Sequence, residues 1–224
     1  MNTTISAVQP TLPRQRFWTL RRAALAGMIA PILWCSVLLL LDIIQYNFLI
    51  GIGANPLTTA PASENGMGPY GWLYVASDFT LGLLTVLFAL GLMRSIKGGV
   101  WKWVGMAGMF IFGFGFMIGS APCECLPGQQ VGVWGQIHNW ASIALLLTTI
   151  PMPLGLGLAF RHDERWRRVA WYSIGTGLSA PVLFVIVNAL PPVFSWFYLW
   201  LLFIPFAWLA VTAHHLGRLA NGEA

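Results

Sequence analysis

The segment ALAGMIAPILWCSVLLLLDIIQYNFLI occupies residues 24–50 and contains one charged side chain, that of Asp42. An α-helix rises about 1.5 Å per residue, so about 20 apolar residues cross the hydrocarbon core of a bilayer. The segment is long enough for that, and it lacks the alternating polarity of an outer-membrane barrel strand. It therefore indicates a transmembrane helix.

Five more apolar runs follow along the chain, each bounded by charged residues or by Pro and Gly. The six predicted spans are residues 23–50, 70–93, 101–120, 134–160, 169–190 and 194–217. The whole chain of 224 residues is 57% hydrophobic and 8% charged, whereas soluble domains are roughly 25% charged. The sequence thus predicts an all-α, polytopic membrane protein, a bundle of six transmembrane helices.

The twelve Lys and Arg residues indicate the orientation of this bundle. Eleven of them lie before span one, between spans two and three, between spans four and five, or after span six, and the twelfth, Lys102, is the second residue of span three, at its inner end. The other three connections, 51–69, 121–133 and 191–193, contain none. The positive-inside rule therefore places both termini in the cytoplasm and these connections outside. We predict a disordered cytoplasmic tail at 1–21, a membrane domain at 22–217 and a short cytoplasmic tail at 218–224.

Two carboxylates fall inside the predicted spans. Asp42 and Asp78 each lie about eight residues, or about 12 Å, below the outer end of their spans. Charge in hydrocarbon costs at least about 2.5 kcal/mol, so such residues are functional candidates. No Lys or Arg lies at that depth. We therefore expect a pair in which at least one carboxylate holds a proton, either in an interhelical hydrogen bond or in a proton relay.

Further polar residues gather on the outer side. Glu64 and Glu124 lie in outer loops, His138 lies one turn into span four, and Asn188 lies near the outer end of span five. Carboxylates and a histidine without basic partners are suited to cation binding or proton transfer. The catalytic candidates are therefore Glu64, Glu124 and His138. The alternative is structural, with both Glu residues simply solvated.

The outer side also carries a Cys-x-Cys motif, Cys123 and Cys125. With His138 these residues form a weak candidate metal site, because no second cysteine pair stands at a recognised spacing. A bridge between residues two apart is strained, and both the free thiols and the disulfide remain open. The distribution of histidines disfavours a di-haem cytochrome, which needs His pairs facing across the bundle. The sequence identifies no cofactor.

Short motifs in the outer loops carry a family resemblance. They are Pro61-Ala62-Ser63-Glu64, Gly68-Pro69-Tyr70-Gly71-Trp72, Ala121-Pro122-Cys123-Glu124 and His138-Asn139. From about Arg22 to His215 the chain resembles domain of unknown function 998, a family of six-span bacterial and archaeal membrane proteins. The resemblance implies a prokaryotic cytoplasmic membrane and singles out Ser63, Glu64, Glu124 and His138. It implies no reaction.

The chain departs from that family pattern at two positions. Glu124 stands where the family usually has Asp, and Ala121 stands where it usually has Phe. The cysteine pair is not part of the pattern. The resemblance therefore carries over less securely to this loop than to Ser63, Glu64 and His138.

Two classes of function remain. In the first, the protein is an accessory bundle that binds membrane lipids or another membrane protein through its polar cluster, which comprises Ser63, Asp42, Asp78, Asn139 and Asn188. In the second, it is a membrane-embedded enzyme acting on a lipid-linked or periplasmic substrate, with Glu64 or Glu124 as base or ligand and His138 as acid, base or ligand. The lack of a complete catalytic motif favours the first. The basic charge is explained by membrane orientation, so no nucleic-acid partner is expected.

The predicted orientation can be tested with reporters. A reporter active only in the cytoplasm should work when fused to either terminus, because all Lys and Arg lie on that side. Cysteines introduced by Thr58→Cys and Gly128→Cys should react with an impermeant maleimide added from outside. A C-terminal fusion that is active only outside the cytoplasm would contradict the six-span topology.

Overall fold

The computed structural model describes residues 14–56, 62–124, 130–189 and 194–223, with the side chains of 14–19, 187–188 and 194–202 not described. The α-helices are α1 (Arg14–Ile44), α2 (Tyr46–Gly51), α3 (Gly71–Ser95), α4 (Val100–Gly119), α5 (Val133–Thr148), α6 (Pro151–Phe160), α7 (Arg167–Ala189) and α8 (Phe194–Ala220). A 3₁₀ helix at Ala62–Met67, termed the loop helix, precedes α3, and a shorter one at Glu164–Trp166 precedes α7. No strand occurs in the described ranges, so the all-α prediction is confirmed.

Five segments of the described chain are long and apolar enough to cross a membrane. They are Leu20–Ile44, Gly71–Ser95, Val100–Gly119, Val133–Phe160 and Glu164–Ile186. Large apolar side chains such as Leu39, Trp140 and Val185 are exposed on the helix surfaces. In lipid such exposure carries no hydrophobic penalty. The chain is therefore a helical membrane protein, as its composition predicts.

Helix α1 begins at Arg14, inside the segment for which the sequence predicts disorder. Pro13 immediately precedes it, and proline suits the start of a helix because its missing N–H needs no partner there. Residues 1–13, the rest of the predicted tail, lie outside the described residues. At the other terminus α8 continues to Ala220, two residues past Arg218.

The long helices form a closed ring. Helix α1 packs on α3 and α8, α3 packs on α4, α4 packs on α6, and α7 joins α6 to α8. Helix α5 packs chiefly on α4 and is followed by α6 in the same membrane span. The two are separated at Thr149 and Ile150, because Pro151 and Pro153 cannot donate backbone hydrogen bonds.

Glycines set the spacing between α4 and α6. A Cβ atom on Gly105 would lie 2.5 Å from the backbone nitrogen of Leu156, and one on Gly155 would lie 2.7 Å from the backbone nitrogen of Gly105. Only hydrogen fits at these positions, so the two backbones are in contact. The glycines of α4 and α6 thus serve close packing of the two helices.

A group of polar contacts joins the helices at one end of the ring. We term this end the basic end, because Arg and Lys cluster there. Asp163 is buried and pairs with Arg165 at 2.7 Å. Arg165 also donates to the carbonyl of Ser95, and its own carbonyl lies 2.6 Å from Nε2 of His215. The pKa of Asp163 is held below its ordinary value, mainly by its hydrogen bond from Arg165. One connection therefore ties α3 and α8 to the start of α7.

The glycine contact gives a matched pair of variants. Gly105→Ala should lower the free energy of unfolding by about 1–3 kcal/mol, because the new methyl group meets backbone. Gly175→Ala, where nothing lies within 4 Å of the added atom, should raise it by roughly 0.5–1 kcal/mol through helix propensity. Denaturant unfolding of both variants in the same detergent is the measurement. Equal effects would show that α4 and α6 are not in backbone contact.

Candidate functional site

A cavity of about 40 Å³ lies at the end of the bundle opposite the basic end. That volume holds about three or four water molecules at roughly 10–15 Å³ each. Its wall is formed by α1, the loop helix, α3, α4 and α5. Its polar lining side chains are Trp34, Ser63, Tyr74, Asp78, His138 and Ser142. The structure thus brings together three residues that the sequence singles out: Ser63, Asp78 and His138.

Asp78 is the buried carboxylate of this cavity, with 3% of its surface exposed. It lies seven residues, or about 10 Å, into α3. Its Oδ1 accepts a hydrogen bond from Nε1 of Trp34 on α1, and the side chain of Tyr74 bonds the same carboxylate. The carboxylate is therefore stabilised by neutral donors rather than by a cation.

Trp34 is itself fixed by an aromatic cluster. Its ring makes edge contacts with Phe116 at 6.2 Å and with Phe206 at 5.1 Å between centroids. Phe112 contacts both of these phenylalanines. Edge-to-face pairs of this kind contribute about 0.5–1.5 kcal/mol each beyond burial. The indole N–H that reaches Asp78 is therefore held in place by α4 and α8.

His138 faces the cavity from the second turn of α5. Its Nδ1 lies 2.6 Å from the carbonyl of Gly119 and 3.1 Å from that of Ala121. Because carbonyls only accept, Nδ1 carries the hydrogen, which leaves Nε2 as an acceptor in the neutral ring. Nε2 lies 3.5 Å from the hydroxyl of Ser142, which also lines the cavity. The ring is therefore oriented by α4 with its basic nitrogen toward the cavity.

A polar clamp holds the loop helix, and so Ser63, against α1. Asn65 is buried and donates to Oδ1 of Asp42 at 2.7 Å. Gln45 donates to the backbone carbonyl of Asn65 at 3.1 Å and accepts from the backbone N–H of Tyr70 at 2.9 Å. A Cβ on Gly68 would collide with the Gln45 amide, which explains glycine at that position. The clamp fixes the first connection over the cavity.

Asp42 belongs to this clamp and does not pair with Asp78. The prediction of a pair at matching depth is wrong, because the two carboxylates bind different partners at different heights along α1. Asp78 is level with Trp34, which precedes Asp42 by eight residues, or about 12 Å along α1. The two carboxylates have separate hydrogen-bond partners.

Glu64 lies next to Ser63 on the loop helix and is not among the residues that line the cavity. Its Oε2 is buried and makes no hydrogen bond. Burial raises the pKa of this carboxyl above its ordinary value. An ionised Glu64 therefore lowers the stability of the folded state.

Glu124 caps helix α5. Its Oε2 accepts from the backbone N–H of Gly135, in the first turn, at 3.1 Å. Its backbone adopts a φ of 47°, which is rare for a residue other than glycine. An acidic side chain at this end of a helix is favoured by the unpaired N–H groups and by the dipole. The contact orients the helix that carries His138.

The metal and cysteine candidates have different outcomes. Cys123 is buried and disulfide-bonded, so its sulfur is not a thiolate, while Cys35 is free. Cys125 lies outside the described residues. Within the described ranges no three His, Cys, Asp or Glu residues are grouped as metal ligands. The catalytic roles suggested for Glu64, Glu124 and His138 stay predictions.

Two polar candidates remain. One lies away from the cavity lining, and the side chain of the other is not described. Asn139 is exposed, one residue after His138. Asn188 falls in α7, but its side chain is not described. The sequence motifs do not single out Trp34, Tyr74 or Asn65, the partners of Asp78 and Asp42. Trp34 lies in the middle of its predicted span, away from the interfaces where most of the tryptophans lie, and that position was the available signal.

The family described as "Protein of unknown function (DUF998)" matches residues 28–215. The chain belongs to this family. The match covers most of the ring and every described residue of the cavity lining, and it confirms the resemblance carried by the loop motifs. No curated protein and no solved structure matches the chain.

Glu64 gives a prediction about pH. Its folded-state pKa is raised above the ordinary 4.5, so between the two values the folded state binds more protons than the unfolded state. The free energy of unfolding should therefore fall as pH rises from about 4.5 through the folded-state pKa. Glu64→Gln should remove that fall and melt higher than the wild type at pH 7. The matched control is Glu164→Gln, which changes an exposed carboxylate. If the melting temperatures of all three proteins changed with pH in the same way, the prediction would be contradicted.

Proposed function

We propose that this protein is a membrane-embedded lipid-binding protein whose cavity accepts a hydrogen-bond-donating group of a lipid head. The observation that carries the proposal is the lining of the cavity, in which Asp78 and the basic nitrogen of His138 meet without a Lys or Arg. Such a lining has more free hydrogen-bond acceptors than free donors. A ligand that supplies N–H or O–H groups would complete it.

The balance of donors and acceptors supports this choice. Trp34 and Tyr74 already donate to Asp78, and two carboxylate oxygens have room for further bonds. Nε2 of His138 accepts, and the hydroxyls of Ser63 and Ser142 can do either. A primary ammonium group has three donors and a complementary charge. We therefore expect a primary ammonium head to bind better than a quaternary one, which has no N–H.

The same proposal includes a topology. Helix α8 has 27 residues, or about 40 Å, and would be a sixth span. The Lys and Arg distribution supports cytoplasmic termini in the cytoplasmic membrane of a prokaryote. The cavity would then lie in the outer half of the bundle. Its ligand would come from the outer leaflet.

An enzyme is the second candidate, and one specific observation favours it. The ring of His138 is held by two carbonyls through Nδ1, so that Nε2 is directed to Ser142 and the cavity. A base oriented in this way suits proton abstraction from a bound head group. Glu64 or Glu124 would have to act from outside the lining residues. For that reason we rank binding first.

Asp78→Asn and His138→Gln test the proposal. Wild-type and variant proteins are reconstituted in nanodiscs of phosphatidylcholine that contain a small fraction of phosphatidylethanolamine, and bound lipid is counted by native mass spectrometry. The wild type should retain phosphatidylethanolamine over phosphatidylcholine. Each variant should lose this preference about tenfold or more, because hydrogen bonds to charged groups contribute about 1.5–3 kcal/mol.

Two controls separate the site from the fold. Asn139→Ala changes the exposed residue beside His138, and Thr80→Val changes an exposed hydroxyl two residues after Asp78. Both should bind as the wild type does. Unchanged selectivity in Asp78→Asn and His138→Gln, with melting temperatures intact, would overturn the proposal. If the wild type converted the bound lipid chemically and His138→Gln did not, the enzyme would replace the binding protein as the proposed function.

A further inference from the structure

A second hollow, of about 200 Å³, lies between α1 and α8 at the basic end. Its polar rim contains Arg21 from α1, and His214 and Arg218 from α8. Its apolar floor is formed by Ala24, Leu25 and Met28. A pocket with cationic rims and an apolar floor differs in kind from the cavity around Asp78.

A third hollow, of about 430 Å³, continues between the same two helices toward the middle of the bundle. It is almost wholly apolar and is lined by Pro31, Ile32 and Cys35 of α1 and by Phe203, Ala207 and Ala210 of α8. Small side chains on α8 leave this space open. Ser36 supplies the one hydroxyl of its lining, and that hydroxyl donates to the backbone carbonyl of Ile32.

The two hollows lie on one face of each helix. On α1 the lining positions 21, 24, 28, 31 and 35 recur every three or four residues, which is the spacing of a single helical stripe. On α8 positions 203, 207, 210, 214 and 218 do the same. From Ala24 to Ser36 the stripe runs twelve residues, or about 18 Å. We term the two hollows together the furrow. The hollow at the basic end is its head pocket, and the hollow toward the middle of the bundle is its apolar part.

We infer that this furrow binds one anionic phospholipid, with the phosphate between Arg21 and Arg218 and an acyl chain along the apolar part. Arginine guanidinium groups match phosphate oxygens in geometry and charge. Basic pockets between membrane helices bind anionic heads for this reason. An apolar furrow of about 18 Å beside the pocket fits an acyl chain and would be of no use to a soluble phosphate.

Other polar groups around the head pocket modify the charge but leave it positive. Arg218 donates one hydrogen bond to the backbone carbonyl of Glu223, and the Glu223 carboxylate accepts from Asn221. Glu223 also lines the pocket, so one negative charge faces Arg21, Arg218 and His214. Removing that charge should strengthen phosphate binding. The inference therefore predicts opposite effects for rim substitutions of opposite charge.

The test uses the full chain in phosphatidylcholine nanodiscs doped with phosphatidylglycerol, and it counts bound phosphatidylglycerol by native mass spectrometry. Arg21→Gln and Arg218→Gln should each weaken its retention about fivefold, and Glu223→Gln should strengthen it. Ala210→Trp, which fills the apolar part, should weaken it without changing any charge. The controls are Arg94→Gln, an exposed arginine on α3, and Ala107→Trp, an exposed alanine on α4.

Competition with inorganic phosphate distinguishes a site for a phospholipid from a site for free phosphate. It should fail to displace phosphatidylglycerol at millimolar concentration, because it cannot occupy the apolar part of the furrow. Displacement by phosphate alone, or retention unchanged in Ala210→Trp, would overturn the lipid assignment. So would equal losses in Arg94→Gln and Arg21→Gln, which would show a general surface effect. None of these outcomes depends on Asp78 or His138.

Discussion

The constraint on which this structure depends is a carboxylate in an apolar bundle with no cation beside it. Asp78 can be buried there only because neutral donors reach it from α1 and from its own helix. The donor on α1, Trp34, must in turn be held by rings from α4 and α8. A single polar group therefore specifies how three other helices approach α3. A bundle built only from apolar contacts would not need that specification.

A similar dependence explains the connection over the cavity. The loop helix has little apolar surface of its own, and its position is set by side-chain amides and carboxylates at the end of α1. Glu124 positions α5 in a similar way, because its carboxylate accepts a hydrogen bond from the first turn of that helix. The acidic residues around the site thus divide into those that build its walls and the one, Asp78, that lies inside. Glu64 stands apart, because its buried oxygen has no hydrogen-bond partner.

The sequence was sufficient for the helical class, for five of the predicted spans and for the family, because long apolar runs and loop motifs are local signals. It also indicated Ser63, Asp78 and His138 as site residues. It failed for the pairing of Asp42 with Asp78, because equal distances from the ends of two predicted spans do not determine the relative height of the two helices. Trp34 and Asn65 were missed for a related reason. Their roles come from partners 44 and 23 residues away, and no spacing along one chain reveals such partners.

The division of one span into α5 and α6 has a mechanical consequence. The ring closes through α6, while α5 leans on α4 beyond the break at Thr149 and Ile150. The first half of this span therefore forms a wall of the cavity, while the second half closes the ring. A distortion at the joint would reach His138 before it reached the contacts that close the ring.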